Sequence, residues 1–286
     1  MGGRDAAAIQ HCPPGACADP WSGALPKLSL SFRAYGEGVR DRLPVLLIHG
    51  LFGATSNWHG IARRLAAQRQ VLVPDLRNHG DSPWAERMDY PAMSGDVVAL
   101  LDAQGIERAH LVGHSMGGKV AMWLALNDPE RVGSLVVADI APVTYGSRFD
   151  SLISALSNLP LAELRDRRDA DGRLSEAIGS APLRGYLLQN LIRDEAGHWR
   201  WRMNLSVLAA SLDVILGFPK TEGRQYPGPA LFLYGGRSNY LTGESLPRIR
   251  ALFPLARMRS IPEAGHWVYA DQPEAFSSAV MGFLKD

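Results

Sequence analysis

The stretch Val112-Gly113-His114-Ser115-Met116-Gly117-Gly118-Lys119 decides the reading of this chain. It follows a short apolar run, 109–112, and opens a helix-compatible run, Val120-Ala121-Met122-Trp123-Leu124-Ala125-Leu126. Strand, sharp turn and helix, in that order, can hold a serine in a strained conformation at the end of a sheet strand. The residues two before and two after such a serine pass so close that side chains would collide, and glycine stands at both places, Gly113 and Gly117. The strain lifts the Ser115 hydroxyl clear of the backbone and sets it at a helix N-terminus. There the helix dipole and free N–H groups can stabilise developing negative charge. The pentapeptide alone also fits an ordinary glycine-rich turn, so the surrounding chain has to separate the two readings.

Continuous apolar runs flank this turn on both sides. Val45-Leu46-Leu47-Ile48, Val71-Leu72-Val73, Leu135-Val136-Val137-Ala138 and Ala230-Leu231-Phe232-Leu233-Tyr234 have the composition of parallel strands covered on both faces. Residues 28–34 alternate apolar and polar, which suits an antiparallel edge strand, and 256–261 suit a last strand. Helical spacing marks 58–68, 92–104, 246–253 and 273–284, the last with Pro273 near its first turn. Alternating strands and helices predict a parallel sheet with helices on both faces. From 143 to 217 the pattern changes to helical segments at 149–156, 161–168, 174–177, 183–191 and 205–216, with a turn and short extended arm at 195–202. This region reads as a helical cap inserted into the α/β core.

The 286 residues fit one large domain or a core with an insertion. A formal net charge of +1 and 21% charged residues give no basic surface for nucleic acid. No apolar run approaches the ~20 residues that span a bilayer. Cys12 and Cys17 both lie near the N-terminus and cannot close a four-ligand zinc site by themselves. The first 25 residues lack the basic start and apolar core of a signal peptide and read as a flexible extension, so the cytoplasm is the expected location.

A serine hydroxyl needs a base to take its proton. His266 sits between the last strand and the last helix, where loops from the sheet's C-terminal edge converge. Of the other histidines, His114 adjoins the nucleophile with its side chain pointing away, and His49 and His79 occupy turns that they can hold by hydrogen bonds. The acid that orients the base usually follows the strand before the histidine. Here Gly235-Gly236-Arg237-Ser238-Asn239-Tyr240 follows that strand, with no carboxylate before Glu244. Asp139, at the end of the preceding core strand, is the candidate acid, with Ser238 hydrogen-bonding nearby and Asp213 as the alternative acid. Met116 N–H, and Leu51 or next to it Phe52, are the candidate oxyanion donors. His49, Phe52, Trp267, Leu152, Leu187 and Leu208 are candidates for the substrate pocket, although each leucine taken singly also fits simple core packing.

Together His49-Gly50-Leu51-Phe52-Gly53, Asp75-Leu76-Arg77-Asn78-His79-Gly80-Asp81-Ser82, the Ser115 stretch, Asp139-Ile140-Ala141-Pro142 and Gly265-His266-Trp267 resemble the α/β-hydrolase superfamily. The closer resemblance is to a group of bacterial esterases and abhydrolase-domain-11-like proteins, and it covers most of 28–284. It implies a mostly parallel eight-stranded sheet with helices on both faces. The domains would be a tail at 1–25, a core at 26–142 and 218–286, and a cap at 143–217. In the similar bacterial esterase the acid also follows the earlier strand and a serine takes the usual acid position, which carries these roles onto Asp139 and Ser238. The resemblance further implies a serine hydrolase of short to medium acyl esters or thioesters that needs no cofactor or metal and acts as a monomer or homodimer on a small molecule. Carbon–carbon bond hydrolysis, cofactor-free perhydrolysis, and non-catalytic binding of a metabolite or partner are the alternatives on the same fold.

Overall fold

A computed structural model describes residues 27–36, 42–146 and 149–284. The expected N-terminal tail, with Cys12 and Cys17, lies outside the described residues. The strands are β1 (Phe32–Tyr35), β2 (Val45–Ile48), β3 (Val71–Pro74), β4 (Ala109–His114), β5 (Val132–Ala138), β6 (Leu191–Arg193), β7 (Trp199–Trp201), β8 (Ala230–Gly235) and β9 (Ala256–Ile261). Seven of them form one sheet in the order β1-β3-β2-β4-β5-β8-β9, and β6 and β7 form a separate antiparallel pair. Only β1 runs antiparallel in the large sheet, as its alternating sequence predicts for an edge. The chain is thus an α/β-hydrolase fold with seven strands in the sheet, among the described residues, rather than eight.

The central strands β2, β3 and β4 are buried at every residue, which is why β2 and β3 read as unbroken apolar runs, whereas β4 also carries buried His110 and His114. On one face pack α1 (His59–Leu65), α10 (Val268–Asp271) and α11 (Pro273–Phe283), through Ile61, Leu65, Val268, Phe276 and Val280. On the other lie α2 (Tyr90–Ala103), α3 (Met116–Asn127) and α9 (Leu246–Leu252), through Met93, Val97, Val120, Leu124 and Ile249.

Several boundaries differ from the sequence expectation, among them the expected helix at 174–177, which is absent as a helix of its own, and 205–216, which is split at Ser211; three others have a visible physical reason. β1 begins at Phe32 rather than 28, because the Leu28 and Ser31 N–H groups are taken by side chains, Asp96 Oδ1 at 2.7 Å and Ser82 Oγ at 2.9 Å. α2 begins before 92, because the Asp89 carboxylate accepts the Ala92 N–H at 2.8 Å and Pro91 suits the first turn. Between β5 and β8 the helices are α4 (Asp150–Ser157), α5 (Arg167–Leu174), α6 (Ala181–Leu188), α7 (Leu205–Ala210) and α8 (Leu212–Leu216). Here α5 starts later than the expected 161–168 because Asp166 caps it, accepting the Asp169 N–H at 2.8 Å. The arm expected at 195–202 is part of the β6–β7 hairpin.

The loop after β3 is held by a buried ion pair. Arg77 meets Asp96 of α2 at both carboxylate oxygens, 2.7 and 2.9 Å, with both side chains almost fully buried. Its remaining N–H groups reach the carbonyls of Arg87 and Ala92. A buried guanidinium is tolerated because nearly every donor is used.

The tightest approach in the core lies between β2, β4 and α3. A Cβ at Gly117 would sit 2.4 Å from the carbonyl oxygens of Ile48 and His49. We predict that Gly117→Ala costs about 1–3 kcal/mol of stability, the range for overpacking a dense core. Urea unfolding of the variant checks this, and a midpoint equal to wild type would show that the backbone yields without cost.

Candidate active site

Ser115 adopts φ 52°, ψ −121°, between the last residue of β4 and the first of α3. That left-handed φ costs a non-glycine residue of order 1–3 kcal/mol and persists only where the surroundings enforce it. They do so here. Ser115 N–H donates to Ala138 O at 3.1 Å, and Ser115 O accepts the Lys119 N–H at 3.1 Å. A Cβ at Gly113 would stand 2.3 Å from Gly117 O, so neither glycine has room for a side chain.

Asp139 follows β5, also at positive φ (51°), with its N–H on Leu233 O at 2.8 Å. Its carboxylate is fully buried and fully used. Oδ1 accepts the Gly235 N–H at 3.1 Å. Oδ2 accepts both the Ser238 hydroxyl and His266 Nδ1–H, the latter at 2.7 Å. With Nδ1 as the donor, the neutral imidazole carries its lone pair on Nε2. Asp213 is exposed on α8 and Glu244 is exposed, whereas Asp139 touches the imidazole.

Two further contacts to His266 carry no sequence signal. The His114 side chain does not simply point away from the site, because its Nε2–H donates to the His266 carbonyl at 2.9 Å. The Tyr240 ring stacks on the imidazole, with centroids 3.8 Å apart and planes 19° apart. A serine two residues before an aromatic is not a recognisable motif, so only the fold reveals that stack.

The loop after β2 is built by two buried imidazoles. His49 Nδ1–H donates to Gly50 O at 2.8 Å while its Nε2 accepts the Leu76 N–H at 2.9 Å. In a planar trans peptide the Gly50 carbonyl and the Leu51 N–H point in opposite directions, so holding the first aims the second. His79 Nδ1–H donates to Arg77 O, and its Nε2 accepts the Phe52 N–H at 3.1 Å. The Phe52 N–H is therefore already used. Tyr186 OH and Asn190 Nδ2 hold the Leu51 and Phe52 carbonyls at 2.9 and 2.8 Å. Leu51 and Met116 line one cavity with Ser115, and of the two candidates in this loop Leu51 is the one whose N–H is not taken by His79.

That cavity is small, about 30 Å³, and is walled by Ile140, Tyr145, Phe149, Ile215, Leu216 and Tyr240. A second cavity of about 60 Å³ shares Tyr145, Phe149, Leu216 and Tyr240 with it. Leu152, Leu187 and Leu208 are buried in the core and do not line either space. His49 and Phe52 are buried behind the wall, with Phe52 against Phe149 at 6.4 Å between centroids. Trp267 packs on Tyr186 of α6. Lys119, one turn along α3, also lines the cavity. Its Nζ donates to Leu216 O and Gly217 O at 2.7 Å each and lies 4.8 Å from the Tyr145 ring centroid. Burial lowers its pKa to about 7. Among the described residues no group of three or more His, Cys, Asp or Glu side chains could hold a metal ion.

The chain belongs to the family described as alpha/beta hydrolase fold, whose model it matches over residues 44–273. It is an esterase-type hydrolase of the ABHD11-like group. The sn-1-specific diacylglycerol lipase ABHD11 of Mus musculus is 43% identical to it over 91% of this chain and 86% of that protein. Esterase YbfF of Escherichia coli (strain K12) is 36% identical over 91% of this chain and 100% of that one. A solved structure, "Marine microorganism esterase", matches with a TM-score of 0.86 and 37% identity, covering 90% of this chain and 100% of that one. No helix among the described residues is long and apolar enough to cross a membrane.

Burial lowers the pKa of His49 to about 4 and of His79 to about 3, from an ordinary 6.5. The unfolded chain therefore binds protons below pH 6.5 that the folded chain refuses until much lower pH. Stability is full above pH 6.5 and falls as the pH drops towards 4. Urea midpoints measured from pH 7 to 4 should decline, and His79→Gln should make that decline shallower. A slope unaltered in the variant would show that His79 is not a source of the pH dependence.

Proposed function

We propose that this protein hydrolyses carboxylic esters or thioesters of short to medium acyl groups through an acyl-enzyme at Ser115. The observation that carries this reading is the Asp139–His266 hydrogen bond of 2.7 Å, at the sheet edge that also presents the strained Ser115. His266 Nε2 takes the Ser115 proton as Oγ bonds to the substrate carbonyl carbon. The carbonyl oxygen becomes an oxyanion held by the Leu51 and Met116 N–H groups. The intermediate collapses, and the departing alkoxide or thiolate receives the proton from His266. Water then attacks the acyl carbon, giving its proton to His266. The second collapse releases the carboxylic acid and returns the proton to Ser115 Oγ. Asp139 keeps Nδ1 protonated and stabilises the imidazolium in both halves. Ser238 holds the carboxylate in place.

Residues 143–217 act as a cap in this reading, because Tyr145, Phe149, Ile215 and Leu216 from that segment wall the cavity over Ser115. The sn-1-specific diacylglycerol lipase name of the mouse relative makes a glycerolipid ester a second substrate to assay beside 4-nitrophenyl esters.

Labelling with an active-site-directed fluorophosphonate tests the reading. Wild type should be labelled and Ser115→Ala should not. Asp139→Asn should lower kcat by about 10²–10⁴-fold, and Asp213→Asn should stay within about twofold, as surface changes usually do. Equal labelling of Ser115→Ala, or loss of activity in Asp213→Asn but not Asp139→Asn, would overturn it. Turnover of a diketone without turnover of 4-nitrophenyl esters would select the carbon–carbon alternative.

A further inference from the structure

Tyr240 lies two residues beyond Ser238 in the loop after β8, and its ring covers one face of His266. Its backbone is held on both sides. The N–H donates to Ser238 Oγ at 3.3 Å, and the carbonyl accepts the Tyr145 hydroxyl proton at 2.7 Å. The Tyr145 oxygen in turn accepts the Ala141 N–H at 2.9 Å. Ser238 Oγ–H meanwhile donates to Asp139 Oδ2, the oxygen that holds His266 Nδ1. One network anchored at Asp139 and Ala141, just beyond β5, therefore holds both the carboxylate at the edge of the imidazole and the ring on its face.

A single hydrogen bond at Nδ1 fixes one direction in the imidazole and leaves the ring free to turn about the N–H···O axis. A parallel aromatic plane removes that freedom. An aromatic face also attracts a cation through its quadrupole, so it favours imidazolium over imidazole. We propose that Tyr240 is a positioning residue for hydrolysis at Ser115: stacked on His266, it holds the imidazole plane and stabilises the imidazolium formed in each half-reaction. This rests on the acyl-enzyme reading above. The contact is made by the ring.

Several other groups face or adjoin the imidazole. Asp139 bonds it from the end of β5. His114 of β4 lies 4.6 Å away between centroids, and its burial keeps it neutral. Trp267 adjoins it, Lys119 of α3 lines the cavity, and Asp271 of α10 accepts the Gly265 N–H at 2.7 Å.

The test compares kcat and KM on 4-nitrophenyl butyrate for wild type, Tyr240→Phe and Tyr240→Leu. Leucine keeps an apolar side chain against His266 but cannot stack. Tyr240→Leu should lose kcat by about tenfold or more, with KM within about threefold. Tyr240→Phe should restore kcat to within about threefold of wild type. Tyr240→Met is the second non-aromatic replacement if the thermal midpoint of the leucine variant falls. Equal kcat in the leucine and phenylalanine variants, or a loss that appears in KM and not in kcat, would overturn the proposal. If fluorophosphonate still labels Ser115 in that case, the role of Tyr240 falls alone. If Ser115 is not labelled in wild type, the acyl-enzyme reading falls and takes this one with it.

Discussion

Between β4, α3 and β2 there is no space for a methyl group. A Cβ on Gly113 or Gly117 would lie 2.3 or 2.4 Å from backbone carbonyl oxygens. That closeness forces the chain to reverse within one residue, which puts Ser115 into a left-handed conformation and starts α3 immediately after it. The strand order β2-β4-β5-β8-β9 does the rest. The loop after β2, with Leu51, comes up on one side of the serine. Asp139, after β5, comes up on the other. The next strand outward delivers Ser238 and Tyr240, and the one after that delivers His266. The site is thus assembled from five consecutive strand ends of a parallel sheet, as is general for ligand sites in open α/β folds.

The surroundings of this site are polar yet buried, and their charge state is set by burial. His49, His79 and His114 are all held neutral in the fold, so each can donate one ring proton to a carbonyl, and His49 and His79 also accept a backbone N–H. Protonation would remove the acceptor nitrogen of His49 or His79 and release the loop they shape. Lys119 is buried as well, and burial lowers its pKa in the same direction. It ties the end of α8 to α3 through two carbonyls, so the last turn of the segment covering Ser115 is attached to the helix that Ser115 begins.

The sheet was legible in the sequence because a parallel strand buried on both faces leaves a continuous apolar run, as β2, β3, β8 and the second half of β5 do. The elbow was legible because the glycine-flanked serine stands between a strand-like apolar run and a helix-compatible run, a context that the pentapeptide alone does not supply. The placement of Asp139 beside His266 needed the resemblance as well as the residues, since the usual acid position is occupied by Ser238. The cavity wall was not legible. Periodicity shows which side of a helix is buried, and so selected Leu152, Leu187 and Leu208, but it does not show whether packing or empty space lies beyond that side. Tyr145 and Phe149 precede α4, where irregular backbone carries no period, and Ile215 and Leu216 lie in the last turn of α8, too short a helix for its period to say which residues meet a cavity. The β6–β7 hairpin was legible only as a turn with an extended arm, because its strands are three residues each.

The central claim is that turnover passes through an ester bond on Ser115 made possible by His266 and Asp139. Its most direct test is peptide mass mapping of the protein quenched in acid during steady turnover of 4-nitrophenyl butyrate. The account predicts a butyryl increment on the peptide that contains Ser115. The same increment should be absent from that peptide in His266→Ala. An increment on a different residue, or full turnover by His266→Ala, would contradict it.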